Sequence, residues 1–421
     1  MNRALDVYAD DTFVGKLTDE NNIWGFEYAP AWLASENRHP LSPHIPLREG
    51  KHIDGATYRP VQWFFDNLLP EEKARDLLAK NVRVPIDDAF GLLKVAGAES
   101  AGAITLLPEG EPLTRGEVHS LTYEEVNERI KNLPKAPLNR AERKRMSVAG
   151  AQHKMLVIYR DGEILEPSGF FPSTHILKPE HSSPDVYYHT VRNEWFVMKL
   201  AKLCGLDVPS VDIRYLPEPV YLIERFDRVG LYPDQHRCHV LDGCQLLNLA
   251  PNMKYLNSTA ENLNQLAQLS RMKAKTTLDI FRWALFNALV GNGDAHLKNL
   301  SFFIKGSDVV MTPHYDLLST AIYELPHKHM DHELSQPMGK AQFLGELSEA
   351  NIMEFAEELH VPASLAAVQV RKMTKAIEQN ACRLINLVKN EEQHSGKAGE
   401  ERMVNEIFHN CIKETIANLK L

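Results

Sequence analysis

The sequence predicts an α+β protein whose β-rich front part gives way to a helical back part. Two observations predict this. Period-two alternation of apolar and polar residues, punctuated by turn residues, recurs through much of the first 235 residues. From about residue 240 the apolar residues recur mostly at helical spacing. A third observation sets the scale. The chain has 421 residues, 44% of them hydrophobic, and fills about two or three domains or subdomains at the usual ~100–200 residues each.

The elements run in order along the chain. LDVYADDTFVGKL, from Leu5, alternates around Asp10-Asp11 and predicts a hairpin. WGFEYAPAWL continues the β pattern. VQWFFDNLLPEEKARDLLAK predicts a helix over 61–80, broken near Pro70 and restarted by Glu71-Glu72 in a first turn. TYEEVNERIKNL predicts a helix with Thr122 as N-cap and Glu125 at the capping-box position. PKAPLNRAERKRM, with Arg140, Arg143, Lys144 and Arg145, reads as a solvated basic linker and marks a boundary.

Beyond the linker, KMLVIYRDGEILEP predicts a hairpin turning at Asp161-Gly162. STHILKPE and PVYLIERFDR read as strands, with the helix HTVRNEWFVMKLAKLCGL between them, closed by Gly205. TTLDIFRWALFNALVGN places Leu278, Phe281, Leu285 and Leu289 on one helical face. SFFIKGSDVVMTPHYDLLST predicts two short strands around Gly306-Ser307. The remainder, Gly345 to Leu421, reads as helix with one polar break. The expected divisions are 1–140, 141–235 and 236–421.

Composition excludes several classes. A formal charge of −9 argues against a dedicated nucleic-acid coat. The five cysteines form no CxxC and suit buried free thiols rather than a disulfide scaffold or zinc ribbon. The N-terminus lacks an apolar signal core, and no apolar run reaches ~18 residues. The expectation is a soluble cytoplasmic protein without a membrane span.

The chemistry concentrates in GNGDAHLKN, Gly291 to Asn299. Asp294 and Asn299 lie five residues apart, and Asp316 comes seventeen later, after the second predicted strand. A kinase catalytic loop also sets its acid and amide five apart; there the acid takes the hydroxyl proton while the amide and a later Asp hold magnesium. Asn299 and Asp316 offer the hard oxygens that magnesium requires. Lys298 could neutralise a transferring phosphoryl group. Lys178 ends a predicted strand, as a phosphate-gripping lysine should, and Glu194 in the next helix could orient it. SVAGAQHK, Ser147 to Lys154, has the small residues that let backbone approach phosphate, but it is neither GxGxxG nor a Walker A loop. The bland alternatives are turns satisfied by Asp and Asn, a surface lysine and a solvated glutamate.

Together with LSPHIPL (Leu41 to Leu47), THILK, ERFDR (Glu224 to Arg228) and HYDLLST, these pieces make the chain resemble the HipA family of bacterial serine/threonine kinases, the toxins of HipBA-type toxin–antitoxin modules. The resemblance covers nearly the whole chain. It implies a two-lobed protein-kinase-like fold with an extra N-terminal β-rich subdomain and an all-helical C-terminal lobe. By it, Asp294 is the catalytic base, Asn299 and Asp316 bind Mg2+, and Lys178 contacts the ATP phosphates. Val148, Ala149, Gly150, Ala151, Gln152 and Lys154 would form the phosphate loop, with His296 and Lys298 also on the nucleotide. Glu224 and Phe226 would bracket the adenine hinge. Ser147 matches the autophosphorylated serine. The implied partners are a helix-turn-helix antitoxin dimer (HipB-like), operator DNA through that dimer, and an aminoacyl-tRNA synthetase as protein substrate. His153 and LDGCQLL (Leu241 to Leu247) depart from the family pattern, so neither receives a role.

Other readings use some of the same residues. The acid–amide–acid set would equally serve a small-molecule phosphotransferase. A DNA-bound corepressor needs no catalysis. A metal hydrolase would draw on His296, His314 and Asp316, and HKHMDH (His327 to His332) would be a transition-metal cluster or a solvated loop.

Overall fold

The computed structural model describes residues 2–114, 116–133, 153–325, 328–391 and 397–419. The chain forms two compact units that interleave in sequence. One comprises Met1–Pro179, Glu224–Met253 and Phe302–Val310; the other comprises Glu180–Ile223, Lys254–Ser301 and Met311–Leu421. The α+β expectation holds.

The first unit opens on a five-stranded antiparallel sheet. Its order is Lys51–Ile53, Ile23–Tyr28, Thr12–Glu20, Asn2–Ala9, Ile104–Pro108. The predicted hairpin is present, and Asp10 turns it at φ +54°. Leu5, Val7, Leu17 and Phe26 line the buried face, as period-two alternation requires. Helices Pro60–Asp66 and Ala89–Ala96 bring in Phe64, Phe65, Phe90 and Leu92 to complete this core. The β pattern read through APAWL ends earlier than expected. Pro30 stands in the first turn of a short helix, Pro30–Ala34, where its missing N–H costs nothing.

LSPHIPL acts as a docking segment within this unit. The Tyr28 hydroxyl accepts from the Leu41 N–H at 2.8 Å and donates to the Ile45 carbonyl at 2.5 Å. The His239 ring meets the Leu41 carbonyl at 2.9 Å, and the His44 ring meets the Leu246 carbonyl at 3.0 Å.

A second set of strands runs His175–Pro179, Met155–Arg160, Glu163–Pro167, Val118–Leu121. Asp161 and Gly162, both at positive φ, make the predicted tight turn. Thr122 and Glu125 form the predicted capping box on helix Tyr123–Lys131. A three-stranded sheet, Val240–Asp242, Ser301–Lys305 and Asp308–Met311, contains the predicted hairpin at Gly306-Ser307. Asp242 caps helix Gly243–Leu247 in a reciprocal box with Gln245, which gives the LDGCQ segment a structural role.

Just past Glu224 lies a buried charge network. Arg225 grips Asp227 through two nitrogens at 2.7 and 2.9 Å and reaches Ser173 at 3.1 Å. Asp227 also accepts from the Gly102 N–H at 2.7 Å. Burial alone would raise the Asp227 pKa, but Arg225 and Arg228 together overcome it and hold the carboxyl far below its usual range. The network ties Glu99 to Gly102 against the ERFDR segment.

The second unit is mostly helical. Its long elements are Thr190–Leu203, Ala260–Leu269, Lys273–Val290, Glu349–Glu358, Ala363–Asn390 and Lys397–Glu406. Two antiparallel hairpins accompany them, Val211–Tyr215 with Pro219–Glu224 and Glu333–Met338 with Ala341–Phe343. Helix Lys273–Val290 differs from its one-faced expectation. Leu278 is only half-buried, whereas from Phe281 onward every residue but Arg282 is buried. Helices Ala260–Leu269 and Ala363–Asn390, the helical segment Ile407–Lys413 and strand Glu333–Met338 all pack on it, so its apolar surface is not confined to one face. Arg192 is buried with Glu400 and pairs with it at 2.6 Å and with Glu391 at 2.9 Å, pinning the last helices to Thr190–Leu203. Among the described residues, no helix is long and apolar enough to cross a membrane.

Candidate active site

The loop GNGDAHLKN is built from the end of the buried helix Lys273–Val290. Gly291 terminates that helix in the left-handed region at φ +69°. Its carbonyl accepts from the N–H groups of Thr320 and Ala321, both at 2.9 Å, which clamps the loop to the segment beyond Asp316. Asn292 then folds back. Its side chain donates to Asn287 Oδ1 at 2.8 Å and accepts from the Asp294 N–H at 3.1 Å. The Gly293 N–H donates to Thr320 Oγ1 at 2.7 Å. A Cβ at Gly293 would lie 2.5 Å from the His332 ring, so only glycine fits there. Gln336 supports the next residue by donating to the Ala295 carbonyl and to Ser258 Oγ.

These bonds present Asp294 with its backbone fixed and its carboxylate half-exposed, at 49%. Asn299 sits one short helical turn later, buried, and donates from Nδ2 to the Asp294 carbonyl at 2.8 Å. That donation orients the amide. Tyr255 comes from a separate loop, and its hydroxyl donates to Asp294 Oδ1 at 2.5 Å. The His296 ring packs edge-on against Tyr255 and lies 4.0 Å from Asp294 Oδ1, beyond hydrogen-bond range. Lys298 is buried, and its carbonyl accepts from the Tyr315 hydroxyl at 2.8 Å.

Asp316 stands at φ +57°, a conformation that costs a non-glycine residue energy and that often marks functional positions. Asn193 braces the chain just beyond it, through reciprocal 2.8 Å hydrogen bonds with the Ser319 backbone. Glu194 and Asp316 both act on the buried Tyr221 phenol. Burial first, then these two carboxylates, raise its pKa well above the ordinary value.

The second unit therefore gathers Asp294, His296, Lys298 and Asn299 in one loop, with Asp316 on the clamped segment after the hairpin. The first unit holds the rest. Lys178 is buried at the end of strand His175–Pro179, and Lys154 precedes strand Met155–Arg160. Glu224 is exposed at the end of its strand, the Arg225 N–H donates to the Thr174 carbonyl at 2.9 Å, and Phe226 packs on Phe303. Ser147, Val148, Ala149, Gly150, Ala151 and Gln152 lie outside the described residues, as does the basic run before them.

The metal-hydrolase set does not form. Among the described residues no three His, Cys, Asp or Glu side chains converge as a metal site. His314 is fully buried and stacks on Trp283; burial and then Arg282 and Lys275 push its pKa down to about 3. In HKHMDH, His332 bonds Thr320 and Glu324, and His329 bonds the Ala321 carbonyl, so both serve the loop's scaffold. His327 lies outside the described residues.

Sequence reasoning missed Tyr255, Gln336, Thr320 and Asn193. Each reaches the loop from 27 or more residues away or braces its partner segment, and no local spacing announces that. Asn292 could have been found, because an Asn just past a helix C-cap glycine readily turns the chain.

The family model for the HipA N-terminal domain matches residues 5–107, and that for the HipA-like C-terminal domain matches residues 146–381. A Shewanella oneidensis protein named serine/threonine-protein kinase toxin HipA is 31% identical over 403 residues, which covers 91% of this chain and 89% of that one. A Sinorhizobium fredii protein named putative kinase Y4mE is 35% identical over 396 residues, 90% of each chain. The solved complex of Shewanella oneidensis HipA, HipB and operator DNA superposes with a TM-score of 0.80 at 28% identity, covering 98% of this chain and 96% of that one. With both family domains matched and nine-tenths of the sequence aligned, the chain belongs to the HipA family of serine/threonine-protein kinases.

Proposed function

We propose that the chain is the toxin of a toxin–antitoxin pair and transfers the γ-phosphoryl group of ATP to a serine hydroxyl of another protein. The observation that carries this reading is the pairing of Asp294 with Asn299, in which the loop holds a half-exposed carboxylate on a backbone whose carbonyl is bound by the buried Asn299 amide. Asp294 takes the proton of the acceptor hydroxyl. The acceptor oxygen bonds to the γ-phosphorus, and the bond to the β–γ bridging oxygen breaks with its electron pair, releasing ADP. Asn299 Oδ1 and the Asp316 carboxylate are hard oxygen donors and suit Mg2+. Bound magnesium would offset the phosphate charge.

The remaining roles rest on family resemblance. Lys178, Lys154, Lys298 and His296 contact the phosphates, with the 148–152 backbone as phosphate loop. Glu224 and Phe226 bracket the adenine. Ser147 is the self-phosphorylation site, where a phosphate would add roughly −1.5 to −2 charges beside the nucleotide phosphates and so silence the enzyme. The related complex with HipB and operator DNA supports a helix-turn-helix antitoxin dimer as partner, with DNA met through it. An aminoacyl-tRNA synthetase is the protein substrate that the resemblance implies.

Intact-mass spectrometry after incubation with magnesium and ATP tests the proposal. The wild-type chain is expected to gain one phosphate, mapped to Ser147, and Asp294→Asn to gain none while still binding ATP. Equal gain in the variant removes Asp294 as the base. No gain in a chain that started unphosphorylated removes the kinase activity itself.

A further inference from the structure

The Asp294 backbone is held on both sides. Its N–H is held by Asn292 and its carbonyl by Asn299. The carboxylate itself receives the Tyr255 hydroxyl at 2.5 Å, on Oδ1. Tyr255 is well placed to act as an anchor. Its ring sits edge-on to His296 at 4.9 Å, at an interplanar angle of 81°, and the Lys254 ammonium lies 4.9 Å from the ring centroid. Two neighbours thus flank the phenol, and the residue remains half-exposed, at 48%.

We propose that Tyr255 is a positioning residue of the phosphoryl transfer, fixing the rotamer of the catalytic carboxylate so that it faces the acceptor hydroxyl. This rests on Asp294 being the base. An ionised carboxylate offers about four acceptor positions, so a phenol on Oδ1 does not consume its capacity to take the acceptor's proton. The benefit is geometric. Reacting atoms must approach within about 3–3.5 Å with alignment, and a misplacement of about 1 Å can cost ~100-fold. A hydrogen bond of 2.5 Å on one carboxylate oxygen narrows the rotamers that a half-exposed aspartate samples. Tyr255 acts through Asp294 and takes no proton itself.

Tyr255→Phe is the informative change, because it keeps the ring against His296 and Lys254 and removes only the hydroxyl. The full chain is followed at saturating magnesium–ATP by an intact-mass time course and ADP release, alongside Asp294→Asn and the double variant. Tyr255→Phe is expected to lower the saturating rate on the order of tenfold, less than the ~100–10,000-fold carried by the base itself. Its half-saturating ATP concentration and melting temperature should match wild type, and the double variant should be no slower than Asp294→Asn. An unchanged saturating rate overturns the inference. So does a loss that moves ATP affinity or melting in step, which marks a structural role. A faster variant also overturns it, since the phenol would then be blocking the acceptor's place. If Asp294→Asn turns over normally, it is the reading of the base that fails. If Asp294→Asn is inactive and Tyr255→Phe is unaffected, only the present inference fails.

Discussion

Asp316 adopts a left-handed backbone conformation, φ +57°, that most residues avoid but that Asn and Asp tolerate best after glycine. Asparagine is therefore the right substitution there, because it keeps the backbone and the side-chain shape while removing the charge. Asp316→Asn is expected to weaken magnesium-dependent ATP binding by about 10–100-fold, the usual cost of disturbing a metal site. Binding without magnesium should be unaffected. Calorimetric titration with and without the cation checks this, and equal loss in both conditions would assign Asp316 to something other than the metal. At this scale the sequence was legible where chemistry is local. The five-residue step from Asp294 to Asn299 became a real contact, Nδ2 to carbonyl at 2.8 Å. Tyr255 was illegible because its role exists only once a loop 39 residues away folds against Asp294.

Elements were legible where their ends carry side-chain signatures. Thr122 with Glu125, Asp161-Gly162 and Gly291 each mark a boundary by a mechanism that needs no tertiary partner. The pattern misled where two periods overlap. APAWL alternates acceptably as strand, yet Pro30 starts a helix. Helix Lys273–Val290 shows that even a correct helix assignment says little about which faces are covered, since burial depends on neighbours from distant segments. Its terminal glycine gives a prediction at this level. A Cβ at Gly291 would sit 2.9 Å from Ala321 Cβ, and the residue would have to hold φ +69°. Gly291→Ala should cost about 1–2 kcal/mol from the backbone alone, with the steric contact adding to it. Because the Gly291 carbonyl anchors Thr320 and Ala321, the transfer rate should fall as well. Urea unfolding and the intact-mass assay on one preparation test both. Wild-type stability would show that the loop relaxes at no cost.

For the whole molecule, the interleaving of two units, each assembled from three separate stretches of chain, could not be read from periodicity, which describes only neighbours in sequence. Long-range polar ties within each unit make the assembly intelligible, and one of them carries a pH dependence. His239 is fully buried, its Nε2 meets the Leu41 carbonyl at 2.9 Å, and its Nδ1 has no hydrogen-bond partner among the described residues. Protonation would place a charge and an unpaired N–H in an apolar setting beside His39, which stacks on it at 4.5 Å. Burial and then His39 accordingly push its pKa down to about 3, from an ordinary 6.5. Between those values the unfolded chain binds a proton that the folded chain does not, so stability rises with pH across that window and is lost as pH falls below about 6.5. Each unit of pH in the window is worth about 1.4 kcal/mol for one such histidine. His175, pushed down to about 4 by burial, adds to the loss with the same sign. His239→Gln keeps an amide donor for the Leu41 carbonyl but cannot titrate. Urea unfolding at pH 7.5 and 5.5 should therefore show a loss smaller by about 1.4 kcal/mol in the variant than in wild type. An identical loss in both would mean that His239 is protonated equally in the folded and unfolded chain, and that the docking of LSPHIPL opens before the rest of its unit does.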